Sequence, residues 1–264
     1  MTERFPVSEE QLNQYQQDGF LIVDHLFDAE EMGLLRDIAR QDLQLATEAK
    51  RRRDGGSGEA KLTVRNDLGD DIYSAMVRCH RITDPMEQFL GGEVYHYHYK
   101  MNFKEPQVGG AWEWHQDYGY WYNNGCLYPL LASCMIAVDE ATRANGCLQV
   151  LRGSHHLGRL NHGPIGDQTG ADQEQVEIAR QQLELVHCEL EPGSVVFFHC
   201  NLLHCSAQNC SPDPRWALIC CYNAARNNPY KESHHPRYSF LEKWPEARIR
   251  ETGQRQLAAL QAGS

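Results

Sequence analysis

The sequence predicts a mainly β domain with flanking helices, built as a double-sheet β-sandwich or jelly roll. Two observations favour this class. Short apolar runs of strand length, separated by turn residues, dominate the chain after residue 90, whereas helical patterns dominate the first third. No internal repeat or long linker divides the sequence, so we expect a single domain over residues 1–264. A chain of this length can bury a core of its own without disulfides or a structural metal.

The N-terminal third supplies the predicted helices. Ser8 with Gln11, and Asp28 with Glu31, have the capping-box pattern that marks a helix start. The apolar run from residue 20 to 23 lies between them and predicts a short strand. The basic run Lys50 to Arg53 is expected to close a further helix beside a glycine-rich loop.

Strand-like runs fill the rest of the chain. They cover residues 93–103, 110–118, 132–138, 147–151, 183–190, 194–199 and 216–223. Asn145-Gly146 lies between two of these runs and is typical of a hairpin turn. The polar stretch from Gly163 to Gln182 interrupts the pattern, and we expect it to be an inserted lid, with an ordinary surface loop as the alternative.

Composition disfavours several classes of protein. The formal net charge of -11 and the pI of about 5.6 argue against general nucleic-acid binding. No window has the ~18 apolar residues of a membrane span and no leader pattern opens the chain, so we expect a cytoplasmic protein that binds no membrane. The ten cysteines include no CxxC pair, which disfavours a zinc ribbon. The sequence carries no signature of an oligomeric state.

A candidate metal site begins at His115-Gln116-Asp117, which ends a strand-like run. The period of two places His115 and Asp117 on the same face of a strand. A third ligand must come from another element, and either His199 or His204 could supply it. Two histidines and one carboxylate that leave other positions open are the arrangement of non-haem Fe(II) oxygenases. Arg215 follows eleven residues after His204 and could bind a carboxylate through a two-pronged ion pair.

These residues occur together with other motifs in a fixed order. The set comprises Asn102-Phe103-Lys104, His115-Gln116-Asp117, Asn145-Gly146-Cys147-Leu148, Gly153-Ser154-His155, Pro192-Gly193, Phe197-Phe198-His199, His204-Cys205-Ser206, Gln208-Asn209 and Arg215. In this combination the chain resembles the phytanoyl-CoA dioxygenase family of Fe(II)- and 2-oxoglutarate-dependent oxygenases, from about Ser8 to Tyr222. The resemblance implies the double-stranded β-helix fold, with O2 as the third reactant beside Fe(II) and 2-oxoglutarate.

Carried over by position, the resemblance makes His115, Asp117 and His204 the iron ligands. His204 is preferred to His199 because it has the family spacing to the downstream serine and arginine. Those two residues, Ser206 and Arg215, are expected to bind the distal carboxylate of 2-oxoglutarate.

Three further positions follow from the same resemblance. Lys61 falls where family members place a lysine near the co-substrate. Lys100 and Met135 fall where other members contact the co-substrate or the substrate. We group Met135 with the co-substrate and Lys100 with the substrate. His155 and His156 follow a Gly-Ser turn and are assigned no role in the reaction.

The substrate is expected to be a small, polar, charged metabolite. Trp121 and Tyr122 follow the metal motif and could wall a pocket for a cationic group, with Lys100 meeting an anionic one. The aromatic stretch resembles that of bacterial members acting on small metabolites such as aminoalkylphosphonates. Three alternatives remain: an acyl-CoA hydroxylase, a cupin-like isomerase or dioxygenase without 2-oxoglutarate, and a non-enzymatic small-molecule sensor. Arg215 argues against the second, and the intact His115 and Asp117 against the third.

Overall fold

The computed structural model describes residues 4–56 and 58–262. Its α-helices in this part of the chain are α1 (Glu9–Asp18), α2 (Ala29–Gln41), α3 (Leu43–Glu48), α4 (Ile72–Arg78), α5 (His80–Leu90), α6 (Asp117–Trp121), α7 (Gln173–Gln182) and α8 (Ala247–Ala262). Its strands are β1 (Phe20–Val23), β2 (Lys50–Arg53), β3 (Glu59–Arg65), β4 (Val94–Lys104), β5 (Trp112–His115), β6 (Leu131–Ala137), β7 (Leu148–Leu151), β8 (His162–Ile165), β9 (Gln168–Ala171), β10 (Leu185–Cys188), β11 (Val195–His199), β12 (His204–Ser206) and β13 (Arg215–Ala224).

Two antiparallel sheets form the body of the domain. The larger has seven strands in the order β1-β11-β6-β13-β4-β3-β2, and the smaller has four in the order β10-β7-β12-β5. Strands β8 and β9 form a separate hairpin. The expected class, mainly β with flanking helices, is therefore confirmed.

The seven-stranded sheet separates two cores. Ile136, Phe197 and Leu218 belong to the core shared with the helices, where α2, α4, α5 and α8 pack. Their neighbours in sequence, such as Met135 and Phe198, belong to a second core on the opposite face. This alternation is what the two-residue period of a strand requires. The side chain of every second residue of the large sheet therefore lies on the face opposite the helices, where the candidate site residues are found.

The predicted opening of helix, strand and helix is confirmed. Ser8 caps α1, where its Oγ accepts from the Gln11 backbone N–H at 3.2 Å, and Asp28 caps α2 by accepting from the Glu31 N–H at 3.0 Å. Strand β1 follows α1 directly and pairs with β11 at one edge of the large sheet. Capping chemistry is local, so it can be identified from four residues of sequence.

The basic run Lys50 to Arg53 was wrongly expected to end a helix. Helix α3 already ends at Glu48, and the run forms the edge strand β2, paired with β3. An edge strand exposes one side of its backbone, and charged side chains there prevent pairing with other chains. A run of four cations is therefore compatible with a strand in this position.

The prediction of a hairpin at Asn145-Gly146 was also wrong. The residues do form a turn: Asn145 Oδ1 accepts from the Thr142 N–H at 2.8 Å, and Gly146 has a φ of 78°. However, the turn leads from β6 in the large sheet to β7 in the small sheet, so the flanking strands are not partners. The strand-like run 110–118 is shorter than expected, because β5 ends at His115 and α6 begins at Asp117.

Residues 163–182 consist of the β8–β9 hairpin, which begins at His162, followed by α7. The hairpin lies at the cavity described below, to which Gln168 and Thr169 contribute. Whether this segment moves as a lid stays a prediction. Among the described residues, no helix is both long enough and apolar enough to cross a bilayer. All ten cysteines are free thiols, and nine of them are buried.

Candidate active site

Three potential metal ligands meet between the sheets. His115 is the last residue of β5, Asp117 the first of α6 and His204 the first of β12, where it lies opposite His115. One nitrogen or oxygen atom from each lies within 4.8 Å of the others. They line a cavity of about 530 Å³. Two imidazoles and one carboxylate on one side leave the cavity side of such a centre open.

Both histidines are held in the tautomer that a metal requires. The Nδ1 atoms of His115 and His204 lie 2.7 Å from the Glu113 carbonyl and 2.9 Å from the Leu202 carbonyl, respectively. A carbonyl only accepts, so each Nδ1 carries the hydrogen and Nε2 keeps its lone pair. Burial lowers the pKa of His115 to about 3 and also lowers the pKa of His204. Both rings are therefore neutral and able to bind a cation.

Asp117 is ionised and fixed by two neighbours. Its Oδ2 accepts from the Ser133 hydroxyl at 3.0 Å, and its Oδ1 lies 3.7 Å from Nζ of Lys100. Burial alone would raise the pKa of Asp117, but the positive charge of Lys100, helped by the hydrogen bond from Ser133, brings it below its usual value. Ser133 was not among the predicted site residues. The sequence feature that could have identified it is a polar residue two positions before Met135, on the same face of an otherwise apolar strand.

Arg215 supplies a second feature of the cavity. The guanidinium is 2% exposed, and Nη2 donates to the Gly146 carbonyl at 2.7 Å. Its Nε and Nη1 have no hydrogen-bond partner among the described residues. Burial lowers the pKa of Arg215 to about 10, so the group is still charged at neutral pH. A buried cation with free donors facing a cavity fits a carboxylate ligand such as one end of 2-oxoglutarate.

The other residues expected near the co-substrate differ in position. Ser206 and Met135 line the cavity together with Asn102. Ser206 Oγ accepts from Nζ of the buried Lys104 at 2.9 Å, and Lys104 also donates to the Ala207 carbonyl. Lys61 lies outside the cavity, with its Nζ 5.2 Å from the centre of the Phe103 ring. The alternation of β3 turns Leu62 and Val64 into the cavity instead, so the structure does not support Lys61 as a co-substrate residue.

Of the two aromatic residues proposed to bind the substrate, one lies in the cavity and the other lies outside it. Trp121 is 2% exposed and lines the cavity, with its ring 6.0 Å from Nζ of Lys100. It lies one helical turn after Asp117, so both project from the same face of α6. Tyr122 is 42% exposed, lies outside the cavity and packs beneath Arg159. The structure therefore does not support Tyr122 as a substrate residue.

Four histidines that were not singled out also line the cavity: His98, His162, His234 and His235. His98 on β4 and His235 from the segment after β13 stack with their ring centres 4.4 Å apart. His98 lies on the same face of β4 as Lys100 and Asn102, as the two-residue period of a strand requires. A β-bulge follows only at Tyr97, where the pairing of β4 with β13 shifts by one residue.

The remaining histidines of the motifs form a separate group. The rings of His155 and His156 are 3.9 Å apart, and His199 lies 5.3 Å from His155. His199 accepts from the Asn201 N–H through Nδ1 at 3.0 Å. None of the three lines the cavity formed by the described residues. The structure thus brings His204, and not His199, to His115 and Asp117.

Comparison with known proteins places this geometry in a family. The family model for phytanoyl-CoA dioxygenase (PhyH) matches residues 15–217. The ectoine dioxygenase of Bordetella parapertussis is 29% identical over 252 residues, which are 88% of this chain and 80% of that protein. The L-proline trans-4-hydroxylase of Streptomyces griseoviridis is 28% identical over 248 residues, covering 86% of this chain and 89% of the relative.

A solved structure shows the same fold. EctD from S. alaskensis, crystallised with 2-oxoglutarate and 5-hydroxyectoine, superimposes with a TM-score of 0.76 at 23% sequence identity. The alignment covers 93% of this chain and 90% of EctD. The family match spans most of the chain, from α1 into β13. The chain therefore belongs to the phytanoyl-CoA dioxygenase family and is a dioxygenase that uses Fe(II), 2-oxoglutarate and O2.

Proposed function

We propose that this enzyme hydroxylates an unactivated C–H bond of a small, polar, charged metabolite. His115, Asp117 and His204 hold the iron, and Arg215 with Ser206 binds the distal carboxylate of 2-oxoglutarate. The observation that carries the proposal is that the buried Arg215, with two unpartnered nitrogens, faces the same cavity as the His-Asp-His group. A metal isomerase without 2-oxoglutarate would have no use for that guanidinium.

Each residue has a defined task in this reaction. When bound, Fe(II) with 2-oxoglutarate and O2 supplies the oxidant for the C–H bond. His115 and His204 present Nε2 because their Nδ1 hydrogens are engaged. Ser133 and Lys100 keep the Asp117 carboxylate charged and oriented. Arg215 fixes the far end of 2-oxoglutarate, so that its other end is directed into the metal-binding part of the cavity.

Apolar side chains wall part of the cavity beside the metal site. Met135 and Phe198 form apolar cavity walls, and Trp121 covers the side beyond Lys100. A water-poor pocket strengthens the charge interactions of Arg215 and Asp117 and protects the substrate from side reactions. The protein thus contributes the metal ligands, the orientation of the reactants and a water-poor pocket. The cofactor and the co-substrates contribute the oxidation.

The size of the cavity favours a small substrate. A volume of about 530 Å³ lies within the range of small-molecule sites and must also hold 2-oxoglutarate, which leaves no room for a whole long-chain acyl-CoA. The curated relatives are described as an ectoine dioxygenase and an L-proline hydroxylase, and both substrates are small charged rings. We propose a substrate of that size, in a class that also includes aminoalkylphosphonates, with Lys100 and Trp121 among its contacts.

A substrate screen tests this function. Succinate release from 2-oxoglutarate would be measured with Fe(II) across amino acids, ectoine, aminoalkylphosphonates, betaines and acyl-CoAs, with the oxidised product identified by mass spectrometry. We expect stimulation by a small charged compound and hydroxylation of that compound. Stimulation by long-chain acyl-CoAs alone would favour the acyl-CoA alternative. Small-molecule binding with no 2-oxoglutarate turnover would favour a sensor.

A further inference from the structure

Lys104 is a buried lysine beside the part of the cavity that contains Arg215 and Ser206. It is the last residue of β4, is 1% exposed, and lies opposite Arg215, the first residue of β13. Arg215 and Ser206 belong to the cavity lining formed by the described residues, and Lys104 does not. The lysine is therefore next to the expected site of the distal carboxylate without forming part of its wall.

The amino group of Lys104 is held at the end of β12. Nζ donates to Oγ of Ser206 at 2.9 Å and to the carbonyl of Ala207. A Cβ atom at Gly146 would lie 3.1 Å from Nζ and would overlap the Ala207 carbonyl oxygen. The Gly146 carbonyl in turn accepts from Arg215 at 2.7 Å. A residue without a side chain at this turn thus leaves room for Lys104 beside Arg215.

Lys104 and Arg215 are two buried cations without a carboxylate partner. Neither has an ion pair within 4.0 Å in the part of the chain that the structure describes. Asp54 acts on Lys104 from a longer distance, and its oxygens accept from three backbone N–H groups. Burial, followed by the charge of Arg215, lowers the pKa of Lys104 well below its usual value. A negatively charged ligand at Arg215 would oppose this shift, because an opposite charge favours the ammonium form.

The hydrogen bond from Lys104 determines what the Ser206 hydroxyl can do. Oγ accepts from Nζ and has no other hydrogen-bond partner among the described residues. A hydroxyl that accepts still has one hydrogen of its own to donate. Ser206 lies two residues after His204 on β12, and both line the cavity. The hydroxyl hydrogen of Ser206 is therefore available to an acceptor in the cavity.

We propose that Lys104 is a positioning residue for 2-oxoglutarate and acts through Ser206. Lys104 holds Oγ as an acceptor, so the Ser206 hydroxyl donates its hydrogen to the distal carboxylate beside Arg215. The lysine also places a second positive charge behind the serine. This inference rests on the proposed function and adds to it a residue outside the described cavity wall.

A pair of ligands isolates the distal carboxylate. 2-Oxopentanoate has the carbon chain and the keto-acid end of 2-oxoglutarate but lacks the second carboxylate. The full-length enzyme, loaded anaerobically with Fe(II), would be titrated with each ligand by calorimetry. We expect Lys104→Met to weaken binding of 2-oxoglutarate about tenfold and to change binding of 2-oxopentanoate less than about twofold. Equal losses for both ligands would mean a purely structural role and would overturn the proposal.

A double-mutant cycle tests whether Lys104 acts through the serine. Ser206→Ala removes the hydroxyl and should weaken binding of 2-oxoglutarate about tenfold. Added to Ser206→Ala, the Lys104→Met change should cost no more than about a further threefold, because the hydroxyl that it positions is already absent. Fully additive losses would show that the two residues act independently and would contradict the proposal.

Lys231→Met serves as the control for loss of a lysine charge. Lys231 is exposed and lies outside the cavity, so its removal should change binding of neither ligand. Thermal unfolding identifies any variant that does not fold. Lys104→Gln is uncharged, polar and one atom shorter, and it replaces Lys104→Met if that variant is unfolded. The same selective loss of 2-oxoglutarate binding is expected, and an unchanged preference for 2-oxoglutarate would overturn the proposal.

The wild-type enzyme separates this inference from the proposed function. Equal binding of 2-oxoglutarate and 2-oxopentanoate by the wild-type enzyme would contradict the proposed roles of Arg215 and Ser206 themselves. A wild-type preference for 2-oxoglutarate that survives in the Lys104 variants would leave those roles intact and refute only the role of Lys104.

Discussion

Nζ of Lys100 lies 3.7 Å from Oδ1 of Asp117, so a half-buried cation lies beside the carboxylate at the centre of the candidate metal site. The other oxygen of Asp117 accepts from Ser133. A buried carboxylate without such partners would tend to take up a proton. Lys100 and Ser133 therefore keep Asp117 charged and aligned in the protein itself.

The two histidines at the ends of β11 and β12 should respond differently to substitution. His204→Ala removes an imidazole that faces His115 and Asp117, whereas His199→Ala removes one that lies with His155. We expect His204→Ala to weaken Fe(II) binding by more than about a hundredfold, beyond the usual loss for an outer partner of a ligand. His199→Ala should retain metal binding and succinate formation. Anaerobic calorimetry with Fe(II) measures both, and equal losses would contradict the assignment.

Arg215→Ala should impair binding of 2-oxoglutarate while sparing the iron. Removing one partner of a buried charge pair costs about 2–5 kcal/mol, or at least about thirtyfold in affinity. Arg226→Ala is a suitable control, since this arginine also donates to backbone carbonyls but lies outside the cavity. The test is calorimetric titration of the iron-loaded enzyme with 2-oxoglutarate. An unchanged dissociation constant would mean that another group binds the distal carboxylate.

Ser133→Ala should weaken metal binding without unfolding the protein. The variant removes the hydrogen bond that orients Asp117, and losses of this kind lower metal affinity about tenfold to a hundredfold. Ser194→Ala is matched to it, because Ser194 is also a buried serine in a hydrogen bond and lies away from the cavity. Metal titration with thermal unfolding of both variants separates a site effect from a stability effect. Equal metal affinity in both would contradict the role of Ser133.

His96 should make the fold sensitive to acid. It is buried on the helix side of β4 against Tyr99 and Tyr222, and burial, with Arg78 adding to the effect, lowers its pKa to about 3. In the unfolded chain its pKa is about 6.5, so unfolding takes up a proton below that pH. Its contribution is fully present above pH 6.5 and is lost as the pH falls toward 3.

At pH 5 this single residue accounts for a loss of about 2 kcal/mol in the free energy of unfolding relative to neutral pH. His96→Phe should reduce the difference in stability between pH 7 and pH 5 by that amount, as measured by urea unfolding. His25→Gln, at an exposed histidine, should not reduce it. An identical pH dependence in His96→Phe and the wild-type protein would contradict the prediction.

The sequence predicts best where the relevant chemistry is local. The capping residues Ser8 and Asp28 act within four residues, and apolar runs such as 195–198 predict strands whatever their partners. The HxD motif works similarly, because His115 and Asp117 are close in any extended segment. Pairing between strands cannot be predicted in this way. The Asn145-Gly146 turn has the same local chemistry whether it joins two neighbouring strands of one sheet or leads to another sheet.

Whether a given side chain faces the cavity was the property that the sequence predicted least well. Lys61 was placed near the co-substrate by its distance from the HxD motif, yet its neighbours Leu62 and Val64 face the cavity. A shift of one residue exchanges the two faces of a strand. Ser133 is an uncharged residue in an apolar strand, so it did not stand out. His98 could have been identified, because it lies two residues before Lys100 on the same face of β4.

The bulge at Tyr97 also has a consequence for how such an enzyme can diversify. It separates the part of β4 that carries His98, Lys100 and Asn102 from the part that carries Tyr95. Loss of the extra residue at that point would exchange the two faces of the Tyr95 part alone. The packing around Trp121, to which Tyr95 and Tyr97 contribute, could thereby be rebuilt in a single genetic step, while the register of His98, Lys100 and Asn102 was inherited unchanged.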